Sequence, residues 1–160
     1  MKEWCAKYDQ VTDAPLRDWP KVPHPFLEST RKGKGAPPSP LDKVAAWAAA
    51  KFASWPGAAP GCSVEMWTYL RAGNPSERLL HLTARGTRFC FHKGAAHMSN
   101  KTMITVDLQS GVAWQRCWDV ECMQAGICCG QIKARHCLGN LGLDGIAMPT
   151  PDELAAFERD

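Results

Sequence analysis

The chain has 160 residues, the length of one domain or of a small domain with ragged ends, and a formal net charge of +3. No run of 18 apolar residues occurs and Met1-Lys2-Glu3-Trp4-Cys5 lacks the apolar stretch of a secretory signal, so the expectation is an intracellular chain with no membrane partner. Twelve prolines and thirteen glycines argue against a tight helical bundle and for a small, loop-rich α+β domain.

In chain order, residues 1–38 read as a flexible Pro-rich and basic segment. Pro15, Pro20, Pro23 and Pro25 precede the basic run Arg31-Lys32-Gly33-Lys34-Gly35, for which a solvated linker is the simpler reading and a phosphate-contacting patch the sharper one. A domain is expected over 39–137. Ser39 as N-cap and Pro40 at the first helical position predict a helix, with Leu41, Val44, Ala45, Ala48 and Phe52 at helical spacing and Pro56-Gly57 as its end. Trp47 and Trp55 read as core anchors.

The alternating segments 63–70 and 78–83 predict a hairpin whose turn contains Asn74-Pro75. A stronger hairpin signal joins Thr102–Leu108 to Val112–Cys117 through Gln109-Ser110-Gly111, three residues ending in glycine. Residues 138–160 read as an acidic tail, in which Thr150-Pro151-Asp152-Glu153 before Leu154 and Phe157 has the form of a capping box opening a short helix.

Six of the eight cysteines fall between Cys90 and Cys137. In a reducing compartment disulfides rarely persist, and clustered cysteines point instead to a metal or to catalysis. Structural zinc takes four thiolate or imidazole ligands in a tetrahedron, commonly delivered as two pairs. Cys90 and His97 form one candidate pair across a loop that Gly94 lets bend; Cys117 and Cys122 form the other. The hairpin between the pairs would bring its ends together, a convergence that spacing alone does not supply. Buried, inert thiols are the plain alternative.

Charge is uneven. Residues 81–137 hold seven Lys/Arg against three acids, whereas residues 138–160 hold one Arg against five acids. A basic cysteine-rich region followed by an acidic tail fits contact with a polyanion, and fits equally a surface charged for solubility.

The stretch from Cys90 through His97-Met-Ser-Asn and Met103-Ile-Thr-Val-Asp-Leu108 to Trp114-Gln-Arg-Cys117-Trp-Asp-Val-Glu-Cys122 resembles the C-terminal zinc module of eukaryotic DNA-directed primase-polymerases, shared with the herpesvirus-type primase subunit. The resemblance covers about residues 88–124. It implies a single structural Zn2+ on Cys90, His97, Cys117 and Cys122, and it favours His97 over the neighbouring His92. It also implies single-stranded DNA template, primer and nucleotide as partners, with roles in primer synthesis, repriming, translesion synthesis and fork restart, in the nucleus or mitochondrion.

In that family two divalent ions, Mg2+ or Mn2+, sit in a separate catalytic domain on an Asp-x-Glu pair and a further Asp. Here Asp119-Val-Glu121 has the letters but lies between two zinc ligands and cannot also serve two metals. The expectation is a chain without catalytic residues that works with a catalytic primase-polymerase domain. For nucleic-acid contact the flanking Arg88, Lys93, Lys101 and Arg116 are expected on phosphates, and Trp118 on a base or as a lid over the zinc. Ser99 and Asn100 read as caps of the turn after His97. A second metal on Cys128, Cys129, His136 and Cys137 is disfavoured, since adjacent cysteines chelate one ion poorly. A cross-brace ubiquitin-ligase finger is disfavoured because it needs eight ordered ligands. A structural or protein-interaction zinc module without polymerase function is the second reading.

Overall fold

The computed structural model describes residues 28–71, 78–117, 119 and 137–160. Among them lie eight strands and two helices: β1 (Glu28–Lys34), α1 (Asp42–Ser54), β2 (Ser63–Arg71), β3 (Arg78–Arg85), β4 (Phe89–Cys90), β5 (Ala95–Ala96), β6 (Thr102–Asp107), β7 (Val112–Cys117), β8 (Cys137–Asn140) and α2 (Pro151–Arg159). The six longer strands form one sheet in the order β1-β2-β3-β6-β7-β8, with every neighbouring pair antiparallel. β4 and β5 form a separate two-stranded ribbon inserted between β3 and β6. The architecture is α+β, as expected. None of the described helices is long and apolar enough to cross a membrane.

Both predicted hairpins are present. In β2–β3 the pairs Trp67–Leu82 and Tyr69–Leu80 place large apolar side chains side by side on one face. The same face continues through Leu82–Ile104 and Leu80–Val106 into β6, and through Val106–Ala113 into β7. In the β6–β7 hairpin Gly111 takes a positive φ of 78°, which glycine tolerates without a Cβ clash.

The two helices close this apolar face. α1 packs on β2 and β3 and buries Val44, Ala45, Trp47, Ala48 and Phe52. Each such side chain of Val or Phe size contributes roughly 1.5–3 kcal/mol when removed from water. α2 lays Phe157 against Trp67 and Tyr69, with ring centroids 6.0 and 5.3 Å apart. Arg31 then locks the end of α2: its guanidinium lies 3.9 Å from the Phe157 ring centroid and Nη1 donates to the Phe157 carbonyl at 3.1 Å. A cation on the last carbonyls of a helix is favoured by the helix dipole. Gly33 makes room for this arrangement, because a Cβ there would stand 2.8 Å from Trp67 Nε1.

Three expectations change. The helix begins at Asp42, with Leu41 rather than Ser39 as its N-cap and no side-chain capping bond. Pro40 thus precedes the helix instead of opening it. The basic run 31–34 is an edge strand rather than a linker, since its backbone pairs with β2 from Arg31–Tyr69 to Lys34–Met66. The acidic C-terminal residues are no free tail. Leu141, Leu154 and Phe157 belong to the main core. Glu158 accepts from Tyr69 Oη at 2.6 Å and from Arg78 Nε at 2.8 Å. Burial opposes the charge of Glu158, but Tyr69 and Arg78 outweigh it and hold the carboxyl below its usual range. The predicted capping box is there, with Glu153 N donating to Thr150 Oγ1 at 3.2 Å and Thr150 N to Glu153 Oε2 at 2.7 Å. The Asn74-Pro75 turn and residues 1–27 lie outside the described residues.

On the opposite sheet face, Thr68, His81, Thr105 and Trp114 line up in register across four strands. His81 Nδ1 and Thr105 Oγ1 lie 2.6 Å apart. Burial, and secondarily the charge of Arg116, push the His81 pKa from 6.5 down to about 4. The unfolded chain therefore takes up this proton at a higher pH than the folded chain. Stability is full above about pH 6.5 and drains away as pH falls towards 4, by an amount on the order of 3 kcal/mol. The wild-type unfolding free energy minus that of a His81→Gln variant should fall between pH 6.5 and 4, measured by urea denaturation across pH. Parallel profiles would contradict it.

Candidate metal centre

The ribbon β4–β5 is a knuckle built for one purpose visible in its geometry: it presents Cys90 and His97 from the two sides of a tight loop. Gly94 N donates to the Cys90 carbonyl at 2.8 Å, with Gly94 at a φ of 69°. His97 N donates to the Arg88 carbonyl at 2.9 Å and closes the loop one residue beyond the ribbon. The knuckle is anchored to the core by aromatics. Phe91 meets Trp55 edge-on at 5.7 Å, and Trp55 in turn meets Phe52 of α1 at 5.1 Å.

Cys117 arrives from the other side, at the end of β7 opposite Thr102. Its strand is fastened to the knuckle by Gln115, a side chain only 3% exposed. Gln115 Oε1 accepts from Phe91 N at 2.9 Å and Gln115 Nε2 donates to the Phe89 carbonyl at 2.7 Å. One amide therefore grips the backbone on both sides of Cys90 from a position two residues before Cys117. Sequence alone does not single out this residue. Its only sequence signal is a polar amide at an inward-facing position of an alternating strand, next to a proposed ligand.

The outcome is a cluster in which the ligand atoms of Cys90, His97 and Cys117 all lie within 4.8 Å of one another. The three residues are 1%, 4% and 8% exposed. Cys90 and Cys117 form an apolar cluster separate from the main core. Two sulfurs and one imidazole nitrogen, buried and convergent, are a donor set that suits zinc. The Thr102 hydroxyl is consistent with that use. It is buried without a hydrogen-bond partner among the described residues and is paired in register with Cys117, where a metal-bound thiolate would offer an acceptor. His92 is exposed and stands outside this cluster, which takes in His97. The fourth expected ligand, Cys122, lies outside the described residues, as do Trp118, Cys128, Cys129 and His136.

The expected nucleic-acid contacts separate. Arg88, Lys93 and Arg116 are exposed. Arg88 nonetheless spends Nη1 on the Met98 carbonyl at 2.9 Å, which braces the chain after His97. Lys101 forms an ion pair with Glu65. The side-chain amide of Asn100 donates to Asp119 Oδ2 at 3.3 Å.

The sequence profile of the Herpesviridae UL52/UL70 DNA primase family matches residues 75–136, the stretch that holds the knuckle, β6, β7 and the three convergent ligands. A DNA-directed primase/polymerase protein of Gallus gallus is 31% identical over 83 residues, which is 51% of this chain and 14% of that relative. The chain thus corresponds to a small part of the relative's length. No solved structure matches.

Two substitutions test the cluster. Cys117→Ala should abolish binding of one equivalent of zinc, read by a colorimetric zinc assay on the purified chain. Gln115→Leu leaves every ligand in place but removes both clamp bonds, so it should lower thermal stability by about 1–3 kcal/mol and speed zinc loss to a chelator. Retention of one zinc by Cys117→Ala would show that the ion sits elsewhere.

Proposed function

We propose that this chain is a zinc-stabilised, single-stranded-DNA-contacting module of a primase-polymerase. The observation that carries the reading is that Cys90, His97 and Cys117 converge within the same stretch that matches the primase family. That match supports a DNA primase-related function in general. The ion's part is structural: three buried protein ligands, with Cys122 as the fourth, leave no open position for a substrate or a reactive water. Its binding energy is folding energy for a knuckle that has almost no apolar core of its own.

On this reading the module holds template and primer while nucleotidyl transfer takes place on the carboxylate-bound Mg2+ or Mn2+ ions of a catalytic primase-polymerase domain. Primer synthesis, repriming beyond lesions, translesion synthesis and fork restart, in the nucleus or mitochondrion, are the processes it would serve. Arg88 and Lys93 are exposed beside the knuckle, and Arg116 is exposed next to Cys117. These three are the phosphate contacts of choice. Lys101 is a weaker candidate, because its ion pair with Glu65 would have to be given up. Trp118 remains the proposed stacking or covering residue.

Binding of the zinc-loaded chain to a fluorescent oligo-dT should be measurable at low salt and weaken steeply as salt rises, since phosphate contacts release counterions. An Arg88→Glu/Lys93→Glu double variant should lose affinity at least tenfold and show a shallower salt slope. An absence of binding at low salt would favour a structural or protein-interaction zinc module instead.

A further inference from the structure

Asp119 lies two residues beyond Cys117 and is the acid of the sequence Asp119-Val-Glu121 that was set aside as a catalytic pair. Its Oδ2 stands 3.7 Å from Nδ1 of His97, whose side chain is 2% exposed, while Asp119 keeps 27% of its own exposure. The same oxygen accepts from Asn100 Nδ2 at 3.3 Å. Asp119 is not one of the three residues whose ligand atoms converge. A carboxylate at this distance from one ring nitrogen, and outside the convergent set, can hold the ring without itself being a ligand.

We propose that Asp119 is the positioning residue of the metal centre: Nδ1–H of His97 donates to Asp119, Asn100 steadies that carboxylate, and Nε2 of His97 is the nitrogen left for zinc. This rests on the zinc reading of the site and assigns a role to a residue outside the ligand set. A neutral imidazole carries one proton on two nitrogens, so the partner of one nitrogen decides which nitrogen is free to ligate. A carboxylate is the strongest acceptor available to make that choice, and it raises the ligand's basicity as well. The observed 3.7 Å is wider than a hydrogen bond. With Nε2 given to an ion, Nδ1 would carry the ring proton, and Asp119 would be the acceptor beside it.

The arrangement also has a consequence for assembly. Asp119 follows Cys117, whereas Asn100 and His97 follow the knuckle. The carboxylate thus joins the two ligand pairs on the histidine side, as Gln115 joins them on the Cys90 side.

The test uses the zinc-loaded 160-residue chain labelled with 15N. Long-range 1H–15N correlation spectra of His97 should show a protonated Nδ1 and a metal-bound Nε2. The opposite tautomer overturns the proposal, and this measurement needs no variant that could fail to fold. In Asp119→Asn, zinc affinity measured by chelator competition should fall 10- to 100-fold, and the Nδ1–H signal should exchange faster with water. Asn100→Ala should move both readouts in the same direction by less. Unchanged affinity together with a protected Nδ1–H in Asp119→Asn would overturn the assignment. A wild-type chain that takes up no zinc would overturn the metal reading and this inference with it, whereas a zinc-bound chain with the other tautomer sinks this inference alone.

Discussion

A single buried amide joins the two halves of the candidate metal centre. Gln115 bonds to the backbone at Phe89 and at Phe91, so the peptide that carries Cys90 cannot move independently of the strand that carries Cys117. Both groups of the amide are used in water-poor surroundings, where an unmade bond on either side would cost roughly 1–3 kcal/mol. The clamp is therefore specific as well as stabilising. Only a side chain with a donor and an acceptor at that reach can satisfy both backbone groups, which aspartate, leucine or serine cannot do. Everything nearer to the metal centre inherits its position from this contact and from the β6–β7 register that pairs Thr102 with Cys117.

The rest of the domain supports that clamp. A six-stranded antiparallel sheet gives β7 a rigid neighbour in β6, and two helices cover the apolar face that the hairpins create. Trp55 carries the connection outwards from the end of α1 to Phe91 in the knuckle. The knuckle itself is two short strands and a glycine turn, too small to bury a core. It is stable only as an appendage of the sheet or around an ion, and the buried thiols and imidazole provide for the second. The loop after β8 is tied back to α1 by Trp47, whose Nε1 donates to Asp144 at 2.8 Å. A C-terminal segment with five acids is thus held on the helical side of the domain by its own apolar residues and by Arg31, Arg71 and Arg78.

The match of residues 75–136 to a primase family and the convergence of ligands in that stretch bear on the same question from different directions. The first is a likeness in sequence to a DNA primase family over part of the chain. The second speaks to chemistry: closed thiolate–imidazole sites build structure, and they leave bond-making to groups elsewhere. On the proposed reading the module contributes a shaped, basic surface near a primer terminus, and the carboxylates that hold catalytic ions belong to another domain. Asp119, which looked in sequence like half of such a carboxylate pair, has its carboxylate 3.7 Å from Nδ1 of His97.

Much of this protein was legible before any coordinates. The alternation in 63–70, 78–83, 102–108 and 112–117 determined both hairpins, because a strand with one buried face must repeat every second residue. The Thr150/Glu153 box determined where α2 starts, since that cap is satisfied within four residues. Cys90, Cys117 and a histidine beside Cys90 were candidates because a hairpin brings its ends together, and the resemblance to the primase-polymerase zinc module favoured His97 over His92. What only the tertiary structure decided depends on pairs far apart in sequence. The edge pairing of β1, which turned a basic linker into a strand, required β2 as a template. The docking of the acidic C-terminal segment required Trp67 and Tyr69 as a floor for Phe157, 88 to 90 residues later in the chain. The roles of Gln115 and Asp119 were hidden for the same reason. An isolated polar residue carries no sign of its partner, and the partners here are a backbone 24 residues away and an imidazole on another loop.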